Sequence, residues 1–430
     1  DATTRIAKID ATARSAMDGI NAMIAFTGGD GPRTYVILSQ NPDELRPTGG
    51  FMGSYGVLTA DAGKVRLTRY DDSLAWVRDH PTAVIPPDQV GSPFRFYDPP
   101  LQETFANTNT TPDWPHAADV ALKLWAAGGE APTDGVVSFT PQFLARILAV
   151  TGPVVVPGYN ETVTAANVVG RLDYYTHQLP PTTPGLDRKE FLSPLGQSVM
   201  AKLLQAPASQ WRSLGAAVSK AFAARQLLVW SHDQAVQSTL VQRGWDGVLP
   251  ATDGDFFYDG EFEYGAKNGG GLKRTFDEQV SLHADGSARI TTTLTINNTE
   301  APSPVNNDVL TYYTLYGPAG AVLDPVASDP PFSLEPALAG HPAAGWFRTV
   351  APNSTGTIKV VWDVPGLGQR RSDGSWQYAL NFQHIVNNTG DVLNLKVDLP
   401  AGAHWAGKAP LTQANLDKDV TGTWIYRLKA

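Results

Sequence analysis

TYVILSQNPDELRPTGGFMGSYGVLTADAGKVRLTRYDDS, residues 34–73, is the stretch that decides the fold. Thr34–Ser39 is a continuous apolar, β-rich run of the kind buried on both faces of a sheet. Gly53–Ala60 and Lys64–Tyr70 read as two more strands, with Asp61-Ala62-Gly63 as the hairpin turn between them. Upstream, Ile6, Ile9, Ala13, Met17, Ile20 and Ile24 recur at helical spacing, so residues 1–26 form a helix that Gly28-Gly29 and Pro32 end. Downstream, helix and strand alternate. Ala117–Ala127, Pro141–Val150 and Ala165–Tyr175 are helical, with strands at Gly135–Phe139 and Pro153–Val156. Helices Asp187–Leu204 and Gln210–Gln226, strand Leu227–Trp230 and helix Asp233–Arg243 follow. Such alternation predicts a layered α/β domain over residues 1–250, a mixed sheet with flanking helices.

From Thr275 the texture changes. Seven runs between Phe276 and Leu399 alternate apolar and polar residues, with turn residues at regular spacing, which predicts an all-β sandwich over 275–430. Between the two domains, 251–274 reads as a linker, because GDFFYDGEFEYGAKNGGG (254–271) looks like a loop of Gly and aromatic residues. Pro81–Pro115, rich in proline, reads as one long loop.

Composition narrows the function. The chain of 430 residues has 33 basic and 42 acidic side chains, a net charge of −9, and lacks the basic face that nucleic acid demands. It has no cysteine, which excludes disulfides, Cys-ligated zinc, iron–sulfur centres and thiol nucleophiles. No stretch has the ~18 consecutive apolar residues of a membrane span. The chain opens at Asp1 without Met, so a signal peptide or membrane tether is expected to have preceded it. Few lysines among many Thr, Asn, Gly and Pro fit a secreted or cell-surface protein of actinobacterial type.

The motifs NPDELRPTGGF (41–51), GSYGVLTADAGKVRLTRYDDS (53–73) and DRKEFL (187–192) resemble a secreted bacterial domain family of unknown function. In order and pattern, residues 34–245 also resemble, more distantly, the LytR-CpsA-Psr (LCP) family. That family transfers envelope glycopolymers from a polyprenyl-pyrophosphate carrier, holding the pyrophosphate with arginines. The resemblance implies an LCP-like α/β domain, with VVSFTPQFLARILAVTGPVVV, TAANVVGRLDYY and LDRKEFL at the family's later elements. It departs where charge matters. Asp173 stands where the arginine would be, Arg171 lies two residues earlier, and Tyr70-Asp71-Asp72-Ser73 replaces an Arg-Asp pair. Carboxylates in place of guanidiniums repel a diphosphate unless a metal intervenes.

Carboxylates suit glycoside chemistry instead, which needs two of them flanking the scissile bond. The candidates for acid, base or nucleophile are Glu44, Asp71, Asp72 and Asp173. Asp71 and Asp72 are adjacent at a strand end, so only one faces a pocket; the alternative is a solvated turn, or Asp72 as an N-cap. Asp173 is either the second carboxylate or a partner of Arg171 or Lys189. Substrate-binding candidates are Arg46, Arg69, Asn109, Trp114, Arg171, Tyr174, His177 and Arg188, of which Trp114 beside Asn109 has the aromatic-and-amide character that grips a sugar ring. No metal site and no cofactor is expected, and no GxSxG, HExxH or P-loop occurs. The preferred expectation is an exported carbohydrate-active enzyme, a glycoside hydrolase or transglycosylase acting on an envelope polysaccharide of arabinan or galactan type. One alternative is an LCP-type phosphotransferase, with Arg46, Arg69, Arg171 and Arg188 holding a polyprenyl pyrophosphate through a divalent metal. The other is a non-catalytic glycan-binding module whose sandwich carries recognition.

Overall fold

The computed structural model describes residues 2–85, 93–96, 102–175, 191–264, 271–302, 309–386, 388 and 390–428. It is mixed α/β in its first part and β-rich in its last. Helix α1 (Ala2–Phe26) leads into strands β1 (Arg33–Asn41), β2 (Phe51–Asp61) and β3 (Lys64–Asp72). Helices α2 (Ser73–Asp79) and α3 (Trp114–Ala127) follow, then β4 (Gly135–Phe139), α4 (Pro141–Thr151), the hairpin β5–β6 (Val154–Val156, Glu161–Val163) and α5 (Val168–Asp173). The domain closes with α6 (Leu192–Leu204), α7 (Trp211–Ala223), β7 (Leu227–Ser231) and α8 (Gln234–Gln242).

The sheet has five strands in the order β3-β2-β1-β4-β7. Only the central pair, β1 and β4, is parallel. β1 is apolar throughout because both its faces are covered. Val36 and Leu38 pack with Trp76, Phe105, Trp114 and Trp125 beneath α2 and α3. Tyr35 and Ile37 point the other way, onto Ala221, Phe222, Val236 and Leu240 of α7 and α8. A third cluster joins α4, α5 and α6 through Ile147, Leu172, Leu195 and Val199.

The C-terminal strands are β8 (Asp255–Tyr264), β9 (Leu272–Leu282), β10 (Ala288–Asn298), β11 (Val309–Tyr316), β12 (Val322–Leu323), β13 (Ser333–Leu338) and β14 (His341–Val350). They continue as β15 (Ser354–Val364), β16 (Gln369–Arg370), β17 (Trp376–Phe382), β18 (Val392–Asp398), β19 (His404–Trp405), β20 (Gln413–Asn415) and β21 (Val420–Arg427). They form a six-stranded sheet, β12-β15-β10-β9-β18-β20, and an eight-stranded one, β13-β14-β11-β8-β17-β21-β19 with β16 on β17. One apolar cluster, including Phe257, Phe276, Leu294, Trp346, Ile358 and Tyr378, draws on both sheets.

The expected 251–274 linker is not a loop. Asp255–Tyr264 is a central strand, and β9 begins at Leu272. The long loop expected over 81–115 is also partly structured. Ile85 and Glu103 form a β-bridge, Pro93–Phe96 and Phe105–Asn107 are 3-10 turns, and α3 already begins at Trp114. Among the described residues, no helix is long and apolar enough to cross a membrane.

Candidate functional site

Between the sheet and the helices of its second face lies a cavity of about 840 Å³, within the size range of ligand pockets. Its body is apolar, walled by Leu144, Ile147, Leu195, Val199, Leu214 and Val229. Polar groups gather where β1 and β3 end and β2 begins, next to the C-terminal end of the parallel strand β4. That edge is where open α/β sheets take ligands. The register sets Ser39 opposite Ser54, and Ser54 opposite Asp72. A register shift between Ser39 and Gln40 bends β1 at this point. The hydroxyl of Tyr70 hydrogen-bonds with Ser39 and Ser54, and burial pushes its phenol pKa up.

Asp72 and Asp173 both line this cavity. Asp72 is 8% exposed and caps α2, its Oδ1 accepting from the Leu74 amide at 3.0 Å. Asp173 is the last residue of α5, half-buried. Asp71 is exposed and turned away; its Oδ1 accepts from the Asp72 amide at 2.7 Å. Thus of the adjacent pair one faces the pocket, as pleating requires. Asp43, which sequence reading missed, is a third carboxylate of the lining. Its amide donates to Asn41 Oδ1 at 3.2 Å. That Asn-Pro-Asp turn at the end of a buried strand was the available signal.

Other candidates serve the framework. Glu44 and Arg46 are buried away from the cavity, paired at 3.3 Å. Asn109 is fully buried, donating from Nδ2 to Gly50 O, Thr48 Oγ1 and Gln40 Oε1 at 2.8, 2.8 and 3.1 Å. Trp114 is 0% exposed in the apolar layer beneath α3, so it offers no platform to a sugar. Arg69 bonds Glu130 at 2.7 Å and lies over Trp125 and Tyr55. Arg171 bonds Glu161 at 2.8 Å and lies over Tyr174, a pairing that holds its guanidinium charged. His177 and Arg188, and with them Asp187, lie outside the described residues.

Among the described residues of the lining, Arg243 is the one cation, and it lies over Trp245 at the end of α8. No group of three or more His, Asp or Glu among the described residues is placed to hold a metal ion. Chemically, the lining offers three carboxylates, Asp43, Asp72 and Asp173, and the hydroxyls of Ser39, Ser54 and Tyr70.

Residues 30–175 match the family described as "Protein of unknown function (DUF4012)". They carry β1 to α5 and all three lining carboxylates. No curated protein matches the chain. Similar solved structures include the protein gbs0355 from Streptococcus agalactiae, 13% identical, covering 52% of this chain and 76% of its own, with a TM-score of 0.31. Lin1025 from Listeria innocua is 13% identical over 50% of this chain and 79% of its own, with a TM-score of 0.28. The transcriptional regulator yvhJ from Bacillus subtilis is 10% identical over 53% and 85%, with a TM-score of 0.28. At this level neither fold nor function transfers.

Proposed function

We propose that the chain is an exported carbohydrate-active enzyme that hydrolyses or transfers glycosidic bonds of a bacterial envelope polysaccharide, of arabinan or galactan type. The observation that supports it is that Asp72 and Asp173, from a strand end and a helix end, line one cavity. Glycoside cleavage needs one carboxyl to protonate the leaving oxygen and another to activate water or attack the anomeric carbon. Asp72, with one oxygen fixed as an acceptor by the Leu74 amide, suits the base or nucleophile role. Asp173 suits the acid. Asn41, Asp43, Ser54 and Tyr70 stand at the same end to receive sugar hydroxyls.

The test is incubation of the purified protein with mycobacterial-type and other envelope glycans. Oligosaccharide release is expected, falling about 10²–10⁴-fold in Asp72→Asn and in Asp173→Asn. No release from any glycan, or full activity in both variants, would sink the proposal.

The apolar body of the cavity favours a second reading, in which the substrate is lipid-linked as in the LCP family. The lipid of a polyprenyl-pyrophosphate carrier would lie among Leu144, Val199 and Leu214, its glycan at the carboxylate end. Thermal stabilisation by a polyprenyl phosphate with Mg²⁺ is what this reading expects, and its absence counts against it.

A further inference from the structure

We propose that Arg46 is a positioning residue, and that the β-sandwich serves the site as the wall against which the β1–β2 loop is set. The catalytic half of this inference rests on the glycosidase reading.

The loop between Asn41 and Phe51 has two ends of different character. Asn41, Pro42, Asp43 and Phe51 line the cavity, whereas Leu45 is 3% exposed and belongs to the sandwich core. It is tied to β8 by one backbone bond and one bond to a side chain. The Leu45 amide donates to Glu263 Oε2 at 3.0 Å, and the Glu263 amide donates to Leu45 O at 3.1 Å. Two residues further, Tyr258 donates its hydroxyl proton to Pro47 O at 2.6 Å. The loop is also closed on itself: Glu44 N donates to Asn41 O and Phe51 N to Glu44 O. A displacement at Glu44–Arg46 is therefore passed to Asn41 and Phe51, at the cavity.

Arg46 fixes this assembly. Its Nη1 donates to Leu45 O at 2.8 Å and Glu263 O at 2.9 Å; its Nη2 reaches Asn107 Oδ1 at 3.1 Å and Glu44 Oε1 at 3.3 Å. Its Cζ lies 4.0 Å from the centroid of the Phe262 ring and 5.3 Å from that of Phe51. One side chain thus ties the loop, the 105–107 turn, the start of β2 and β8 together. A lysine, with three donors on one atom and no plane, cannot serve these directions at once.

The experiment compares hydrogen–deuterium exchange and glycan-release kinetics of the full chain in wild type, Arg46→Lys and the surface control Arg289→Lys. In Arg46→Lys we expect faster exchange confined to amides 41–51. We expect kcat to fall by up to about 100-fold, the scale of a 1 Å misplacement, with KM little changed. Arg289→Lys should match wild type in both. If Arg46→Lys does not fold, Asn107→Ala, which removes one acceptor, should show the same pattern more weakly. Unchanged exchange over 41–51 overturns the proposal. Faster exchange with intact kcat overturns its catalytic half. If wild type releases sugar from no glycan while exchange still quickens, the glycosidase reading falls with that half and the anchoring stands.

Discussion

Asp72 performs two tasks with one carboxylate, and the two separate by substitution. One is local: accepting the Leu74 amide at the start of α2. The other is its place in the cavity lining. Serine is as good an N-cap as aspartate but carries no carboxyl, so Asp72→Ser should unfold at nearly the wild-type denaturant midpoint while losing glycan release. Asp72→Ala should lose release and also about 1 kcal/mol of stability, read from the same unfolding curve. If Asp72→Ser retains activity, the cap is the residue's whole role. At Gly50 the constraint is backbone: φ is +145° and a Cβ would stand 2.1 Å from Asn41 O. Gly50→Ala should therefore cost about 1–3 kcal/mol, and less than 0.5 would show that the loop relaxes freely. The residue scale also shows what was legible in the sequence. Asp72 and Asp173 could be picked out, as carboxylates at the ends of a recognisable strand and helix. Glu44, Arg46, Asn109 and Trp114 could not be told from ligand-binding residues, because an Arg or Asn satisfied inside a fold has the composition of one that waits for a sugar. What separates Arg46 is β8, more than 200 residues away in sequence, and what separates Asn109 is its bonds to Gln40, Thr48 and Gly50, about 60 to 70 residues away.

At the scale of elements, periodicity located the α/β half because its strands and helices bury apolar faces. It failed at β8 for a reason visible in the strand. Phe256, Tyr258 and Phe262 pack outward beneath other segments, while Asp255, Asp259, Glu261 and Glu263 are buried on the opposite face with Phe257. With acids inside and aromatics on the other face, the usual apolar-in, polar-out alternation is inverted, so the run reads as a loop. Strand β21 (VTGTWIYR) escaped similarly, its polar residues and glycine masking the alternation. Helix α6 carries an element-scale prediction. Leu195, Val199 and Leu203 recur every fourth residue and line the cavity. Val199→Trp should occupy part of the 840 Å³. If the substrate is lipid-linked, any thermal stabilisation by polyprenyl phosphate in wild type should vanish in this variant. If the stabilisation persists unchanged, the lipid is not in this cavity.

For the whole molecule, the sandwich interior sets how stability responds to pH. Asp255 and Glu278 face one another across β8 and β9, both fully buried, and burial first, then their mutual repulsion in the case of Glu278, pushes both carboxyls up, Asp255 to about 6. Tyr378 donates to Asp255 Oδ2 at 2.7 Å, but Asp255 Oδ1 and Glu278 Oε1 have no other donor, so a proton held by the pair supplies it. Asp259 beside Glu261, and Glu263 beneath the loop, are raised in the same sense by burial. Arg274, bonded to Glu261, and Asp391 lie among these acids, and Arg46 and Glu44 face Glu263. In the unfolded chain these acids titrate near 4. Between that value and the folded one the native state holds more protons, so stability falls as pH rises through and above the range in which the Asp255–Glu278 pair gives up its protons. Asp419 acts in the opposite sense. Burial opposes its charge, but Arg225 and His384 outweigh it and hold the carboxylate down at about 2, so its contribution is lost as pH falls from 4 through 2. The melting temperature should therefore peak between about pH 4 and 5 and decline toward 7. Asp255→Asn removes the charge that deprotonation creates and keeps an acceptor for Tyr378. It should raise the melting temperature at pH 7, change it little at pH 4.5, and flatten the decline between them. A wild-type melting temperature that climbs from pH 4.5 to 7 would show that the buried acids are not protonated as their surroundings require.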